Sequence, residues 1–485
     1  MSSLNRFFKD SLIYGVAAVL PRIINFLMVR LHTDALPAAA YAINTDFYIW
    51  AALISIVLTL GFETTFFRFF KEPEYKDKLI ATSFLTISAV IVVFILVFSL
   101  FFRPIQTYFH FEGHDLRLQM FIAIMALDTL AMIPFAYLRA VNRPIRYTTI
   151  KLINVFVIVI LQLITLRWIP NGQANGIELP AWLMSAYHKI PLVDNIFFSN
   201  LLGSAMSFML VLPYLTKAKW IFDKDLLKKM LVYSYPIVIA GLAYAINENL
   251  DKWLIGEYVD KYSEGLYAAA YKLAIFMNLY IMAFRLGAEP FFFKISVQKD
   301  AQVMYAKIMK YFVSIGSIAL MGVVLFIDIF KHMINPDYWT ALNIVPIVLL
   351  ANLFLGIYHN LSIWYKLIDK TRYGMWFSII GAVLTIALNV LFLKEYGYMV
   401  AAWATLTAYG VMSLLSYLVG QKKYPIAYDL KPIIVLLSFS TFISFFFYYV
   451  YKPQLWLSFI ILIVYIGILI MTQLKDIKSD FKSLK

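Results

Sequence analysis

Apolar runs long enough to cross a hydrocarbon core as α-helices recur from one end of the chain to the other, separated by short polar connections. Length and flanking charge predict about fourteen spans, at 11–31, 41–65, 79–102, 117–139, 147–168, 194–215, 231–255, 265–290, 306–330, 340–366, 373–393, 398–420, 430–450 and 455–473. The fold class is therefore an all-α integral membrane protein. Arg6 and Lys9 precede an apolar stretch, as in a signal peptide, but Pro21 and Arg22 interrupt it and no small-residue cleavage site follows, so the expectation is a retained first span. The longest non-membrane segment is an outer loop from about Arg167 to Lys189, and no connection has room for a soluble domain.

Composition agrees with the pattern. Of 485 residues 62% are hydrophobic and only 14% charged, against roughly a quarter charged in soluble domains. The net charge of +14 invites a nucleic-acid reading, but the basic residues alternate by side. With both termini in the cytoplasm, most of the 42 Lys and Arg fall in inner connections, so the charge encodes topology and not a nucleic-acid partner. The expected location is a bacterial inner membrane, multi-pass, with membrane lipids as constant partners. The absence of cysteine excludes disulfides, thiolate metal sites and cysteine nucleophiles.

The chain also repeats itself. "LGFETTFFRF" (Leu60 to Phe69) and "LGAEPFFFKI" (Leu286 to Ile295) share five of ten positions at an offset of 226, and Arg68 faces Lys294. Tyr41-Ala42 matches Tyr267-Ala268, and Arg146-Tyr147 matches Arg372-Tyr373, in the same register. Corresponding spans lie six apart and so enter the membrane in the same direction. This predicts two parallel six-helix bundles, 1–216 and 217–425, with two additional helices and a cytoplasmic tail in 426–485, and a substrate held between the halves near the midplane.

Ionisable residues inside spans cost about 2.5–3.5 kcal/mol on insertion scales and so need a reason. Span one carries Arg22 near mid-depth, Asn25 three residues on, and Arg30 near its outer end. Span seven carries "NENLD", with Glu248 and Asp251 at the positions that repeat Arg22 and Asn25. Lys272 lies one and a half to two turns into span eight. As a functional set, Arg22, Arg30 and Lys272 attract an anion into a water-filled cavity, while Glu248 and Asp251 hold a coupling ion or pair with those bases. Snorkelling accounts equally well for Arg30 and Lys272, and a buried structural pair is the other reading of Arg22 with Glu248 or Asp251. Glu63 and Glu289, with Arg68 and Lys294 beyond them, read as a cytoplasmic latch that ties each bundle at one end. Asp128, His359 and Asn360 are weaker candidates. No nucleotide-binding, zinc-protease or nucleophile-elbow motif occurs. "DKD" at Asp223 to Asp225 reads as a solvated helix start rather than a metal site. A transporter without catalytic residues, metal or cofactor is the expectation.

Gly61, Glu63, Arg68 and Phe69 at the end of span two, "SYPIVIAGLAYAINENLDKWLIG" in span seven and "GLYAAAYKLA" opening span eight resemble the polysaccharide-biosynthesis and oligosaccharide flippase family. That family includes the Wzx-type flippases of the superfamily that also holds multidrug extruders and lipid II flippases, and the likeness is greatest to a lipopolysaccharide-export branch. The resemblance implies alternating-access translocation of an undecaprenyl-diphosphate-linked oligosaccharide from the cytoplasmic to the outer face, with cationic cavity residues meeting the diphosphate. Glycan polymerisation or export machinery would be a partner. Arg22 stands where such flippases often carry a base. Multidrug extruders often carry a cation-coupling acid in span one, which this chain lacks. The alternatives are a cation-coupled multidrug or metabolite antiporter using Glu248 and Asp251, a lipid II flippase, and a membrane-embedded transferase using His359 or Asp128.

Overall fold

A computed structural model describes residues 3–217, 219–296, 298, 300–368 and 370–483; the side chains of 3–18, 182, 186, 216, 217, 286, 289, 290 and 472–483 lie outside the description. The described chain is a succession of helices. Twelve of them are long and apolar enough to cross a membrane. A shorter apolar helix, Leu455–Met471, and the first helix, Ser3–Ala35, bring the set to the fourteen positions at which the hydropathy pattern places spans. The protein is a multi-pass membrane protein.

The chain forms two compact units, Met1–Gly256 with Asp260–Gly265, and Glu257–Val259 with Leu266–Lys485. In the first, α1 (Ser3–Ala35), α2 (Ala38–Thr59), α3 (Phe62–Phe70), α4 (Leu79–Leu100), the short α5 (Phe102–Tyr108), α6 (Asp115–Ala140), α7 (Pro144–Leu163), the short α8 (Ile169–Ala174) and α9 (Ala181–His188), α10 (Asp194–Val211) and most of α11 (Lys224–Tyr258) follow one another. Helix α6 is the hub, packed by α2, α3, α4 and α10, while α7 lies across α10 and α1. The core is aromatic: Phe47 stacks on Phe197 with ring centroids 4.1 Å apart and meets Phe121 edge-on at 5.1 Å. Such pairs stabilise beyond the area they bury.

Two features differ from the pattern reading and a third agrees with it. Span two is not one helix, because Leu60 (φ 51°) and Gly61 (φ 65°) both adopt left-handed conformations and separate α2 from α3. Glycine takes this conformation without the steric penalty of a Cβ, so the repeated "LG" marks a break here. Its counterpart Gly287 lies inside a continuous helix. The connection expected from Arg167 to Lys189 is largely helical, as α7 continues through a π-turn (Ile164–Trp168) into α8 and α9 follows. "DKD" begins α11 with a side-chain cap, the Asp223 carboxylate accepting from the amides of Asp225 (3.0 Å) and Leu226 (2.9 Å).

The second unit contains α12 (Lys261–Tyr271) from Leu266 onward, α13 (Ile275–Ile295), α14 (Ala301–Leu325), the short α15 (Ile327–Phe330), α16 (Val345–Leu361), the short α17 (Ile363–Leu367), α18 (Arg372–Tyr396), α19 (Met399–Lys423), α20 (Leu430–Phe445) and α21 (Leu455–Ser483). Helix α16 is its most enclosed element, packed by α14 and α19. A Cβ at Gly356 of α16 would lie 2.4 Å from the Phe312 ring of α14, so the glycine is what lets these helices approach. The last two helices pack on α14. Tyr465 donates to the Ser317 hydroxyl (2.7 Å) and Ser458 to the Leu325 carbonyl (3.0 Å).

Candidate functional site

Arg22 and Asn25 stand together on the exposed side of α1, while Phe26, Met28 and Val29 form its buried side. Arg30 is half-exposed and pairs with Asp34 one turn on, Nε to Oδ2 2.8 Å. Glu248 is half-buried on α11 and Asp251 is fully buried. A cation from the same helix faces Asp251: Lys252 Nζ lies 2.9 Å from Asp251 Oδ1 and donates to the Glu248 carbonyl at 2.8 Å. Lys272 belongs to the second unit, exposed at a 3-10 turn (Lys272–Ala274) between α12 and α13. Because α12 begins at Lys261, Lys272 lies about three turns in, deeper than the pattern reading put it.

At the basic ends of the first unit, Arg139 of α6 forms an ion pair with Glu63 of α3. The Arg139 guanidinium also covers Phe67 (4.8 Å to the ring centroid). Arg68 pairs instead with Glu72 in the following turn (2.5 Å). In the second unit Lys294 is exposed, and the side chain of Glu289 lies outside the described residues. His359 is half-buried on α16, and Asn360 beside it is buried with neither amide atom hydrogen-bonded among the described residues.

Two polar groupings were not assembled by the pattern reading, which had only Asp128 of them as a candidate; both lie in the first unit. One is an ion triad: Lys261 Nζ lies 2.6 Å from Asp46 Oδ2 and 3.0 Å from Glu264 Oε2. Both carboxylates are buried. Two glycines make room for it. A Cβ at Gly256 would lie 2.1 Å from Glu264 Oε2, and one at Gly265 would lie 1.9 Å from the Ala38 carbonyl oxygen. The sequence signal was an acid inside span two and an i,i+3 Lys/Glu pair just ahead of span eight; what joins them is a contact 215 residues long.

The other grouping lines the middle of the unit. Asp128, halfway along α6, is exposed although its neighbours one turn away, Ile124, Met125 and Ala131, are buried. The Asn200 amide of α10 donates to the Tyr48 hydroxyl of α2 at 2.8 Å, and Asp128 acts electrostatically on both Tyr48 and Lys151. Ser204, one turn beyond Asn200, hydrogen-bonds to Asp128. A carboxylate in mid-span that faces hydrocarbon is costly, and α6 is one of the helices most enclosed by protein, so the exposed Asp128 face is read as a polar recess of the bundle. Four helices thus bring acid, base, amide and hydroxyl groups together within one unit.

The family model described as "Polysaccharide biosynthesis protein" matches residues 7–296. Among solved structures, the fold is similar to "Lipid II flippase MurJ, inward closed conformation", with a TM-score of 0.68 and 16% identity over 97% of this chain and all of that one. It is also similar to inward-facing and outward-facing conformations of a multidrug resistance MATE family transporter of the MOP superfamily. Each has a TM-score of 0.57; identities are 11% and 13%, covering 87% and 89% of this chain and 98% and 96% of theirs. No curated protein matches the chain significantly.

Proposed function

Since the chain belongs to the polysaccharide biosynthesis protein family, we propose that it is a flippase that carries a polyprenyl-diphosphate-linked oligosaccharide from the cytoplasmic to the outer face of a bacterial inner membrane by alternating access. The observation that supports this reading is the mixed-charge grouping inside the first unit, where Asp128, Lys151, Asn200 and Tyr48 interrupt an otherwise apolar bundle. Arg22 and Arg30 in the first unit and Lys272 in the second remain the proposed diphosphate contacts of each unit, and the Glu63–Arg139 pair is the proposed latch at the cytoplasmic end. The membrane potential acts with roughly 2.3 kcal/mol per charge per 100 mV. Two negative charges leaving a negative interior therefore gain roughly 4–5 kcal/mol at 100 mV, enough to bias transport without ATP.

The fold shared with multidrug transporters favours a second reading, a cation-coupled antiporter. Against it stands Lys252, which already supplies Asp251 with a cation. Depletion in cells separates the readings. A flippase for surface glycan leaves lipid-linked oligosaccharide on the inner face and strips the surface, and wild-type protein restores export where Arg22→Ala does not. Lysis with accumulated lipid II identifies lipid II as the cargo instead. An unchanged surface with lost efflux of a cationic dye contradicts the flippase reading.

A further inference from the structure

Lys151 sits seven residues past Pro144, roughly 10 Å into the span along α7. It is half-buried, and among the described residues it has no ion pair and no hydrogen bond. Its ammonium rests on the face of Phe135, 4.3 Å from the ring centroid. A cation–π contact of this kind holds a lysine weakly compared with a desolvated carboxylate. Three charged groups act on it from farther away: Asp128, Glu63 and Arg139. Glu63 and Arg139 are engaged with each other. That leaves Asp128, whose carboxylate is otherwise held by the neutral Ser204, as the acid to which Lys151 can turn.

The repeat shows that the fold does not require this charge. At the offset of 226, Lys151 corresponds to Phe377 and Asp128 to Phe354, both packed in the aromatic core around α16 and α19. Helices in these positions close perfectly well on phenylalanine. A lysine kept inside a span without an ion pair costs free energy, and here packing does not explain it.

We propose that Lys151 is the phosphate-receiving cation of the first unit: it parks on Phe135, swings on its four-carbon stem to a phosphate or diphosphate entering the recess, and is drawn back by Asp128 when the anion leaves. A fixed cation that only deepened the bound state would trap the cargo. A competing carboxylate in the same recess makes the bound and empty states comparable in energy. The stem's four rotatable bonds and the compact ammonium suit such an exchange better than a planar guanidinium does. The inference rests on the flippase reading and adds to it the residue in the first unit that meets the phosphate.

The test uses full-length protein in nanodiscs of zwitterionic lipid, with farnesyl diphosphate, farnesol and inorganic pyrophosphate as probes in calorimetric titrations. Wild type is expected to bind farnesyl diphosphate saturably and farnesol not at all. Lys151→Met weakens that binding by about tenfold or more, the loss of one charge-assisted hydrogen bond, while Lys151→Arg retains most of it. Asp128→Asn removes the competitor and tightens binding several-fold. If Lys151→Met does not assemble, Lys151→Arg and Asp128→Asn decide, and Asp128→Asn binding no tighter than wild type overturns the exchange. Lys151-dependent binding of pyrophosphate as tight as that of farnesyl diphosphate supports the site and assigns it to phosphate from any source; preference for the prenyl form supports it and assigns it to the lipid headgroup. Wild-type binding undiminished in Lys151→Met overturns this inference and leaves the flippase reading standing. No saturable binding of either phosphate probe by wild type overturns both.

Discussion

Gly265 occupies a position where a methyl group does not fit, because its added Cβ would lie 1.9 Å from a backbone oxygen that no rotamer change can move. Gly265→Ala therefore forces the start of α12 away from Ala38, and overpacking of this kind costs about 2 kcal/mol or more. Gly410, in the interior of α19 with nothing within 4 Å of an added Cβ, is the contrast. There the alanine gains about 0.8–1 kcal/mol of helix propensity. Thermal unfolding of the two variants in one detergent should move in opposite directions. A second residue-scale prediction concerns Asp223. Backbone hydrogen bonds, the amide of Leu226 foremost, and the Lys78 ammonium 2.8 Å away hold its carboxyl below the usual carboxylate range. The hydrogen bond to Asp223 holds Lys78 above the usual lysine range. The sign follows directly: a depressed acid contributes stability above its unfolded pKa and loses it as pH falls through the lower folded value. A raised base contributes below its unfolded pKa and loses it as pH rises through the higher folded value. Asp223→Asn should thus lower the melting temperature by a constant amount between about pH 5 and pH 9, with the difference shrinking in stronger acid.

At the scale of elements, α6 and α10 are tied at their N-termini by Arg117 and Asp194, both buried, with Nε to Oδ1 2.6 Å and the guanidinium over Phe111. Removing one partner leaves a buried charge uncompensated, at about 3–5 kcal/mol. Arg117→Met alone should therefore destabilise the first unit more than Arg117→Met combined with Asp194→Leu, whose apolar pair leaves no orphan charge. A double-mutant cycle by thermal unfolding measures the difference, and equal losses in the single and double variants would contradict it. The elements themselves were largely legible. Apolar length is a strong signal because lipid leaves the backbone no partner but its own helix. The break at Leu60 and Gly61 was not, since a glycine inside an apolar run reads as any small residue. Its left-handed angle depends on the surroundings, including Ser234 and Ile237 of α11 3.5 Å from an added Cβ. Lys252 was hidden for a related reason: adjacent residues on a helix point apart, yet here the long lysine stem bends back to Asp251.

For the whole molecule, the length and recurrence of the apolar runs made an all-α membrane fold readable, and the family match and the MurJ-like fold agree with that reading. The recess was harder to read. Lys151 counted toward topology because it lies one turn into the predicted span beside its basic end, and the helix start at Pro144 places it a further turn along the helix. Asp46, Lys261 and Glu264 come together through a fold-level contact that no local pattern encodes. The central claim is that a phosphate-bearing lipid headgroup crosses the bilayer through this polar interior. The most direct measurement is transbilayer movement in proteoliposomes containing a fluorescent short-chain polyprenyl diphosphate disaccharide, followed by dithionite quenching of the outer leaflet. The account predicts that quenching passes the outer-leaflet plateau with wild-type protein, slows at least tenfold with Lys151→Met, and is accelerated by a membrane potential of the appropriate sign. Quenching that stops at that plateau with folded wild-type protein, as in protein-free vesicles, would contradict it.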